Sequence, residues 1–196
     1  MTKTRPAIII AAGGGGTRMG GDKPSRKLAG KPLLEYALEW AMDNSDKVAI
    51  AVQAKEQVSV HTVPILCDKV PGIGPIGALD SAFRFSEQHD RERVMLIGCD
   101  LPLLPSDLVP TLEKRIGVEG CAMPVSQGRD HPLAALWQVE CKRLAGYIAG
   151  GGRSLWRFSE FVGVVRVDWG QDFSPDPFAN INEPTALAEA ERWLAP

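Results

Sequence analysis

An uninterrupted apolar run near the amino terminus, residues 7–12, constrains the fold more than any other feature of this sequence. The run reads Ala-Ile-Ile-Ile-Ala-Ala and ends directly at Gly13. Apolar runs rich in β-branched residues are typical of strands that are buried on both faces, as in parallel sheets. Helices must then cover both faces, which favours an α/β fold. Because the run is too short for a membrane span or a signal-peptide core, we expect a cytoplasmic protein without a membrane anchor.

The hydrophobic periodicity of the first 120 residues extends this interpretation. Apolar residues recur at helical spacing over 33–41, and a second buried strand is predicted over 48–52. A helix over 76–85, a strand over 94–97 and a helix over 107–116 follow. This alternation predicts right-handed βαβ crossovers, a mostly parallel sheet and helices on both of its faces.

The pattern is looser in the remainder of the chain. We predict strands over 121–125, 133–139 and 162–167, and helices near 140–148 and 185–194. We find no internal repeat and no long linker rich in Pro, Gly or Ser. For a length of 196 residues, we therefore expect a single domain over 1–196.

Composition argues against two classes of function. The formal net charge of −2 lacks the basic excess that non-specific nucleic-acid binding requires. The four cysteines form no CxxC pair, which argues against a zinc ribbon or a thioredoxin-like redox site. Reduced, buried thiols are the expectation for these cysteines.

A glycine-rich loop follows the first predicted strand. Residues 11–23 read AAGGGGTRMGGDK, with six glycines, Arg18 and Lys23. Glycines let main-chain N–H groups approach and surround an anion, and the two cations would lie beside a triphosphate. The alternative is a flexible surface loop, which would not need paired cations.

Two familiar glycine motifs do not match this loop. The dinucleotide fingerprint requires glycines at i, i+2 and i+5, a spacing that the loop does not contain. A Walker loop requires Lys directly after its last Gly, but Asp22 separates Gly21 from Lys23. The loop therefore indicates phosphate binding of another kind.

Two acidic residues, Asp100 and Asp68, are candidates for the site. Asp100 comes just after the strand over 94–97, at the point where open α/β sheets bind ligands. A buried carboxylate needs a partner, so we expect Asp100 to bind Mg²⁺. The alternative is that Asp100 only accepts hydrogen bonds within a loop or at the start of a helix. Asp68 precedes a Pro/Gly loop over 71–79 whose N–H groups could contact a base or sugar, or serve only as a tight connection.

Together these motifs resemble the nucleoside-triphosphate transferase family, and within it the MobA-like molybdenum cofactor guanylyltransferases, over nearly the whole chain. The resemblance implies a three-layer, Rossmann-like fold of the nucleotide-diphospho-sugar-transferase type. It also implies a nucleotide-binding half over about 1–105 and an acceptor-binding half over about 106–196. The implied nucleotide-binding residues are Ala11, Ala12, Gly13, Gly14, Gly15, Gly16, Lys23, Gln53, Asp68, Gly74, Pro75 and Asp100.

By the same resemblance, Lys23 and Asp100 are catalytic residues and Asp100 is the metal ligand, for Mg²⁺ or alternatively Mn²⁺. Arg18 is the third catalytic candidate, because its charge in the glycine-rich loop would lie beside the triphosphate. The implied reaction transfers GMP from GTP to the phosphate of molybdopterin and releases pyrophosphate. The segments 128–133 and 178–184 resemble the acceptor side of these enzymes. Their candidate acceptor-binding residues are Arg129, His131, Asn180 and Asn182, with a plain surface role for His131 and helix capping by Asn182 as alternatives.

The sequence leaves other functions open. A molybdopterin cytidylyltransferase or a sugar-phosphate nucleotidyltransferase would use the same reaction type, and a non-catalytic nucleotide- or cofactor-binding module would use the same fold. As partners we expect GTP, molybdopterin and transient contacts with molybdoenzymes or their chaperones, but neither nucleic acid nor a membrane. We also expect a monomer.

Overall fold

The computed structural model describes residues 4–13, 26–58, 62–70, 72–171, 174–181 and 184–194. The strands in these ranges are β1 (Ala7–Ala11), β2 (Lys27–Leu28), β3 (Lys31–Pro32), β4 (Val48–Val52), β5 (Ile65–Cys67), β6 (Arg93–Gly98), β7 (Cys121–Ser126), β8 (Arg129–Asp130), β9 (Ala134–Gln138) and β10 (Val164–Asp168). The helices are α1 (Leu33–Asn44), α2 (Pro75–Gln88), α3 (Leu108–Arg115), α4 (Cys141–Ala149), α5 (Leu155–Val162) and α6 (Pro184–Leu194).

One large sheet has the strand order β10-β7-β9-β6-β1-β4-β5, and β8 pairs with β7. Strands β6, β1, β4 and β5 are parallel to one another, and β9 is antiparallel to both β6 and β7. Strand β10 is parallel to β7. The ends of β1, β4, β5, β6, β7 and β10 and the beginning of β9 therefore lie along one side of the sheet, which we call the carboxyl edge.

Helices cover both faces of this sheet, as the sequence predicts. Helices α1 and α3 pack on one face, and α2, α4 and α5 pack on the other. Successive residues of β1 contribute to both cores, Ile8 and Ile10 to the first and Ala7 and Ile9 to the second. Full burial of one isoleucine contributes roughly 1.5–3 kcal/mol, so β1 stabilises two interfaces at once. The predicted three-layer α/β fold with a mostly parallel sheet is confirmed.

A small third core lies beside the large sheet. Leu28 of the β2–β3 hairpin and Leu33, the first residue of α1, are fully buried. They pack against Ile181 and Ala190. Helix α6 thereby packs beside the hairpin that follows the glycine-rich loop. No helix in the described part of the chain is long and apolar enough to cross a bilayer.

Helix α5 was not predicted from the sequence, and its last residue lies within one of the predicted strands. The sequence predicts a strand over 162–167, but Val162 is the last residue of α5 and the strand begins at Val164. The Ser154 hydroxyl accepts a hydrogen bond from the Arg157 N–H at 3.2 Å and caps the start of the helix. Gly163, with φ at 88°, ends it. These two end signals decide between helix and strand.

Other short elements are absent from the sequence prediction. Strands β2, β3, β5 and β8 have two or three residues each, too few to show a period. The expectation of buried thiols holds for Cys99 and Cys121 but is wrong for Cys67, which is exposed. Cys67 is the last residue of β5, which has a neighbouring strand on one side only within the described part of the sheet.

Candidate active site

Gly13 leaves β1 at a point where the neighbouring backbone is too close for a side chain. The N–H groups of Ala12 and Gly13 both donate to the Ala51 carbonyl, at 2.9 and 3.2 Å. A Cβ on Gly13 would lie 2.8 Å from the main-chain nitrogen of Gln53, which itself donates to Gln57 Oε1 at 2.8 Å. The predicted nucleotide-binding positions after β1 and β4 are therefore in direct contact.

Asp100 lies two residues beyond β6 and is 7% exposed. A Cβ on Gly98 would lie 2.6 Å from Asp100 Oδ1, so the glycine leaves room for the carboxylate over the strand end. The Cys99 N–H donates to the Ala11 carbonyl at 3.2 Å, which joins this turn to β1. The N-cap of the next helix is Asp107, so Asp100 does not serve as that cap.

A magnesium site at Asp100 would have few protein ligands. Within the described ranges, no group of three or more His, Cys, Asp or Glu side chains could hold a metal ion. Mg²⁺ commonly keeps several waters and takes one or two carboxylates together with substrate phosphates. A single carboxylate at the carboxyl edge, next to β1, fits this pattern. The metal role of Asp100 stays a prediction.

Asp68 follows β5 and is buried at the same edge. Its N–H donates to the Val52 carbonyl at 2.9 Å, and its Oδ1 lies 3.5 Å from the Ser81 hydroxyl. Burial raises the pKa of Asp68 to about 6, while the Ser81 hydrogen bond and the charge of Arg84 lower it and Asp80 raises it. The carboxylate is therefore ionised at neutral pH but gains a proton under mildly acidic conditions.

The first turn of α2 packs onto this carboxylate. Pro75 is the first helical residue, and Gly74 before it has φ at 77°. A Cβ on Gly77 would lie 2.9 Å from Asp68 Oδ2. The helix amino end carries partial positive charge, which favours a nearby carboxylate in its ionised form. The predicted base-proximal pair Gly74 and Pro75 thus lies close to Asp68, although its contact with a nucleotide stays a prediction.

The predicted acceptor residues approach the carboxyl edge from the other half of the sheet. Arg129 is exposed in β8, directly across from Ser126 at the end of β7. Asn180 is exposed and precedes Ile181, whose N–H donates to the Asp100 carbonyl at 3.0 Å. The chain that carries Asn180 is therefore fixed beside Asp100.

Two residues that the sequence analysis did not single out connect this region. The Ser126 hydroxyl oxygen lies 2.7 Å from His131 Nε2 and 2.9 Å from each carboxylate oxygen of Asp176. Burial lowers the pKa of His131, although the charge of Asp176 opposes this effect. The only sequence signal for Ser126 was a serine that ends an otherwise apolar strand. Asp176 had none.

This combination of Ser, His and Asp is not a hydrolytic triad. In such a triad the histidine lies between the other two residues and removes the serine proton. Here Ser126 lies between His131 and Asp176, and its side chain is fully buried. A nucleophilic role for Ser126 is therefore excluded.

Part of the predicted site cannot be compared with the structure. Six of its residues lie outside the described ranges, namely Gly14, Gly15, Gly16, Arg18, Lys23 and Asn182. Of the remaining positions, Ala11, Ala12, Gly13, Gln53, Asp68 and Asp100 lie at the ends of β1, β4, β5 and β6. Their roles stay predictions.

The fold defines an α/β protein in which glycines and carboxylates lie at the ends of parallel strands, where nucleotide-binding proteins of this class bind their ligands. The chain belongs to the MobA-like NTP transferase domain family, whose model matches residues 8–163. The predicted family and the enzyme class, a nucleotidyltransferase, are thereby confirmed.

Similar proteins of known name cover nearly the whole chain. A molybdenum cofactor guanylyltransferase from Rhodobacter capsulatus is 36% identical over 193 residues, which is 97% of each protein. Another from Rhodopseudomonas palustris is 33% identical, over 95% of this chain and 92% of the relative.

Solved structures share the fold at lower identity. Molybdopterin-guanine dinucleotide biosynthesis protein A from Archaeoglobus fulgidus has a TM-score of 0.78 at 23% identity, over 95% of this chain and 97% of that one. The 2-C-methyl-D-erythritol 4-phosphate cytidylyltransferase from Thermus thermophilus has a TM-score of 0.71 at 16% identity, over 97% and 98%. The same fold thus occurs with different nucleotides and acceptors.

Proposed function

We propose that this protein transfers GMP from GTP to the phosphate of molybdopterin, which forms a guanine dinucleotide cofactor and releases pyrophosphate. The observation that carries the proposal is the common location of Gly13, Asp68 and Asp100 at one carboxyl edge. The full-length relatives named molybdenum cofactor guanylyltransferase support the choice of substrates.

The reaction needs no nucleophile from the protein. An oxygen of the acceptor phosphate forms a bond to the α-phosphorus of GTP, while the bond from that phosphorus to the pyrophosphate oxygen breaks. The acceptor phosphate is already ionised at neutral pH, so alignment and charge neutralisation supply most of the catalysis. Asp100 would hold Mg²⁺, or Mn²⁺, which supplies positive charge beside the α-phosphate.

Other residues of the proposed site bind and orient the nucleotide. The main-chain N–H groups of residues 14–16, together with Arg18 and Lys23, would stabilise the charge that builds up on pyrophosphate. Asp68 would accept hydrogen bonds from the base. Guanine presents two adjacent N–H donors on its pairing edge, which one ionised carboxylate can accept together, whereas cytosine presents a single amino donor there.

A direct assay combines purified protein, molybdopterin, Mg²⁺ and labelled GTP. We expect pyrophosphate release and a labelled dinucleotide product, and we expect CTP, UTP and ATP to be poor substitutes. A preference for CTP would reject the guanylyl assignment, and turnover with a sugar phosphate alone would reject molybdopterin as the acceptor. Nucleotide binding without pyrophosphate release would indicate a carrier module.

We also propose a cytoplasmic location, a monomeric state and transient contacts with molybdoenzymes or their chaperones. Such contacts belong to the biosynthetic role, because the finished cofactor must reach the enzyme that uses it.

A further inference from the structure

Three buried or half-buried polar side chains from separate segments meet beside the carboxyl edge. Ser126 ends β7, His131 follows β8, and Asp176 lies in the segment 174–181 that precedes α6. Their contacts are 2.7 Å for Ser126–His131 and 2.9 Å for Ser126–Asp176. A buried polar group is costly unless it is hydrogen-bonded, so these contacts matter for this part of the fold.

The chemistry of the three groups assigns the hydrogen atoms. A serine hydroxyl has one proton to donate, and an ionised carboxylate can only accept. If Ser126 donated to His131, its oxygen would face the Asp176 carboxylate without a proton between them. We therefore infer that the Ser126 hydroxyl donates its hydrogen bond to Asp176. The Nε2–H of His131 then donates to the Ser126 oxygen.

This network holds one end of the segment 176–181. Asp176 Oδ1 also accepts the Phe178 N–H at 2.9 Å. The Phe178 ring stacks on His131 with centroids 4.9 Å apart, and Trp169 meets it edge-on at 5.5 Å. Both partners of Phe178 lie at the carboxyl edge, since His131 precedes β9 and Trp169 follows β10.

The other end of the same segment is fixed to the proposed metal-binding turn. The Ile181 N–H donates to the Asp100 carbonyl at 3.0 Å, and the Ile181 side chain is 1% exposed. Asn180, between the two fixed ends, is exposed. The segment therefore spans from the end of β7 to the turn after β6 with one polar amide side chain open to solvent.

We propose that Ser126, His131 and Asp176 are positioning residues for the acceptor: their network holds the segment 176–181 so that Asn180 meets a phosphate-bearing acceptor beside Asp100. This inference rests on the proposed function and deepens it. It also gives His131 a role different from the direct acceptor contact that the sequence suggests, because its Nε2 is engaged by Ser126. The predicted nucleotide-binding residues Gly13, Gln53 and Asp68 lie at the ends of β1, β4 and β5 and not on this segment, so we expect GTP binding to depend on the network less than acceptor binding does.

The test compares the two Michaelis constants of the reaction in Ser126→Ala, Asp176→Ala and Asp176→Asn. We expect the KM for molybdopterin to rise by about tenfold or more in the alanine variants, while the KM for GTP stays within about twofold, because only acceptor alignment changes. Asp176→Asn should restore part of the affinity, since an amide oxygen can still accept from Ser126 and Phe178. An equal rise in both constants would overturn the inference.

A second measurement reports on the segment without any substrate. We expect amide hydrogen exchange across 176–181 to accelerate by about tenfold in Ser126→Ala and Asp176→Ala, because the Ile181 N–H loses its fixed geometry. Unchanged exchange in the folded variants would reject the positioning role. If Ser126→Ala does not fold, the two Asp176 variants decide the question alone.

A control is available in Ser154→Ala, which removes a serine hydroxyl that accepts a main-chain hydrogen bond at the α5 N-cap. It should lower the melting temperature yet leave both KM values and the 176–181 exchange unchanged. The exchange and kinetic measurements also distinguish a failure of this inference from a failure of the proposed function. Faster exchange in a protein that transfers no GMP overturns the proposed function and supports the positioning of the segment, whereas transfer with equal KM changes overturns only this inference.

Discussion

The two halves of the sheet build their parts of the site in different ways. In the parallel half, formed by β5, β4, β1 and β6, predicted site residues lie at or just after the strand ends, as Gly13, Asp68 and Asp100 do. In the mixed half, formed by β9, β7, β8 and β10, side chains from distant segments bond to one another, with Ser126 at the centre. The first half relies on strand direction and backbone spacing, and the second relies on side-chain hydrogen bonds.

This difference has a consequence for how mutations act. Asp68 and Asp100 in the parallel half are separated by two other strands, so each should act alone. Asp68 and Asp100 follow β5 and β6, which are three strand spacings of about 4.8 Å apart, or about 14 Å. Positions in the mixed half share partners, so their effects should depend on one another.

The largest expected effect is on turnover in Asp100→Asn. Loss of the carboxylate should lower kcat on the order of 10²- to 10³-fold, because charge stabilisation at the reacting phosphate is removed. Pyrophosphate release at saturating GTP and Mg²⁺ measures it, with circular dichroism to verify folding. Asp107→Asn, the same change at the exposed N-cap of α3, is the matched control and should keep full activity. Wild-type turnover in Asp100→Asn would show that the strand end after β6 is not catalytic.

The second prediction concerns Asp68→Asn, which should weaken GTP binding but raise the free energy of unfolding. Asp68→Asn should weaken GTP binding by about tenfold or more, since a charged acceptor is replaced by a neutral amide. In the wild type, GTP affinity should fall as the pH drops through about 6, where Asp68 gains its proton. Isothermal titration between pH 5 and 8 measures both. An affinity that does not change with pH would exclude a role for the ionised carboxylate.

The same substitution should stabilise the folded protein. Burial raises the Asp68 pKa from 3.8 to about 6, so the folded state binds this proton more tightly than the unfolded state. The wild type therefore loses stability as the pH rises from about 4 to 6, on the order of 3 kcal/mol in total. Denaturant unfolding at pH 8 should show Asp68→Asn as the more stable protein, with the difference vanishing near pH 4. A less stable variant at pH 8 would contradict the burial argument.

A smaller effect is expected for Gly13→Ala. The new Cβ would lie 2.8 Å from the Gln53 nitrogen, which is main chain and cannot move aside without shifting β4. We expect a loss of roughly 1–3 kcal/mol in unfolding free energy together with weaker GTP binding. Gly146→Ala is the control, because nothing lies within 4 Å of a Cβ at that position of α4. That variant should gain about 0.5–1 kcal/mol, and equal behaviour of the two alanines would refute the close approach.

The smallest effect is the one that compares the two halves directly. A double-mutant cycle on Ser126→Ala and Asp176→Asn should give a coupling of about 0.5–1.5 kcal/mol in unfolding free energy. The cycle on Asp68→Asn and Asp100→Asn should be additive within about 0.5 kcal/mol. Similar coupling in both cycles would remove the distinction between the halves.

The sequence predicts the parallel half of the molecule well. Strands β1, β4 and β6 are continuous apolar runs, and the residues after them could be placed at one edge because parallel strands end on the same side. Asp100 was predicted in this way, and its place at the end of β6 agrees. What the pattern could not provide is the close contact of Gly77 with Asp68, which depends on how α2 packs.

The mixed half is harder to predict because its determinants are distant in sequence. Ser126 and Asp176 are fifty positions apart, and no period or motif connects them. Helix α5 was missed because it has only eight residues, Leu155–Val162, and only Gly163 separates it from the valine-rich strand β10. The buried residues Leu155, Phe158, Ser159 and Val162 follow a helical period that the sequence analysis did not use, and Ser154 and Gly163 mark the helix ends.

The reversed direction of β9 has a consequence for how such an enzyme diversifies. Because β7 ends and β9 starts at the carboxyl edge, the residues between them, 127–133, stay at that edge, while the two strands pair with each other farther along their length. Insertions or deletions in that stretch would leave the strands β6, β1, β4 and β5 intact. If residues 127–133 and the segment 176–181 receive the acceptor as proposed, a change of acceptor requires no change in the strands that carry the proposed nucleotide site.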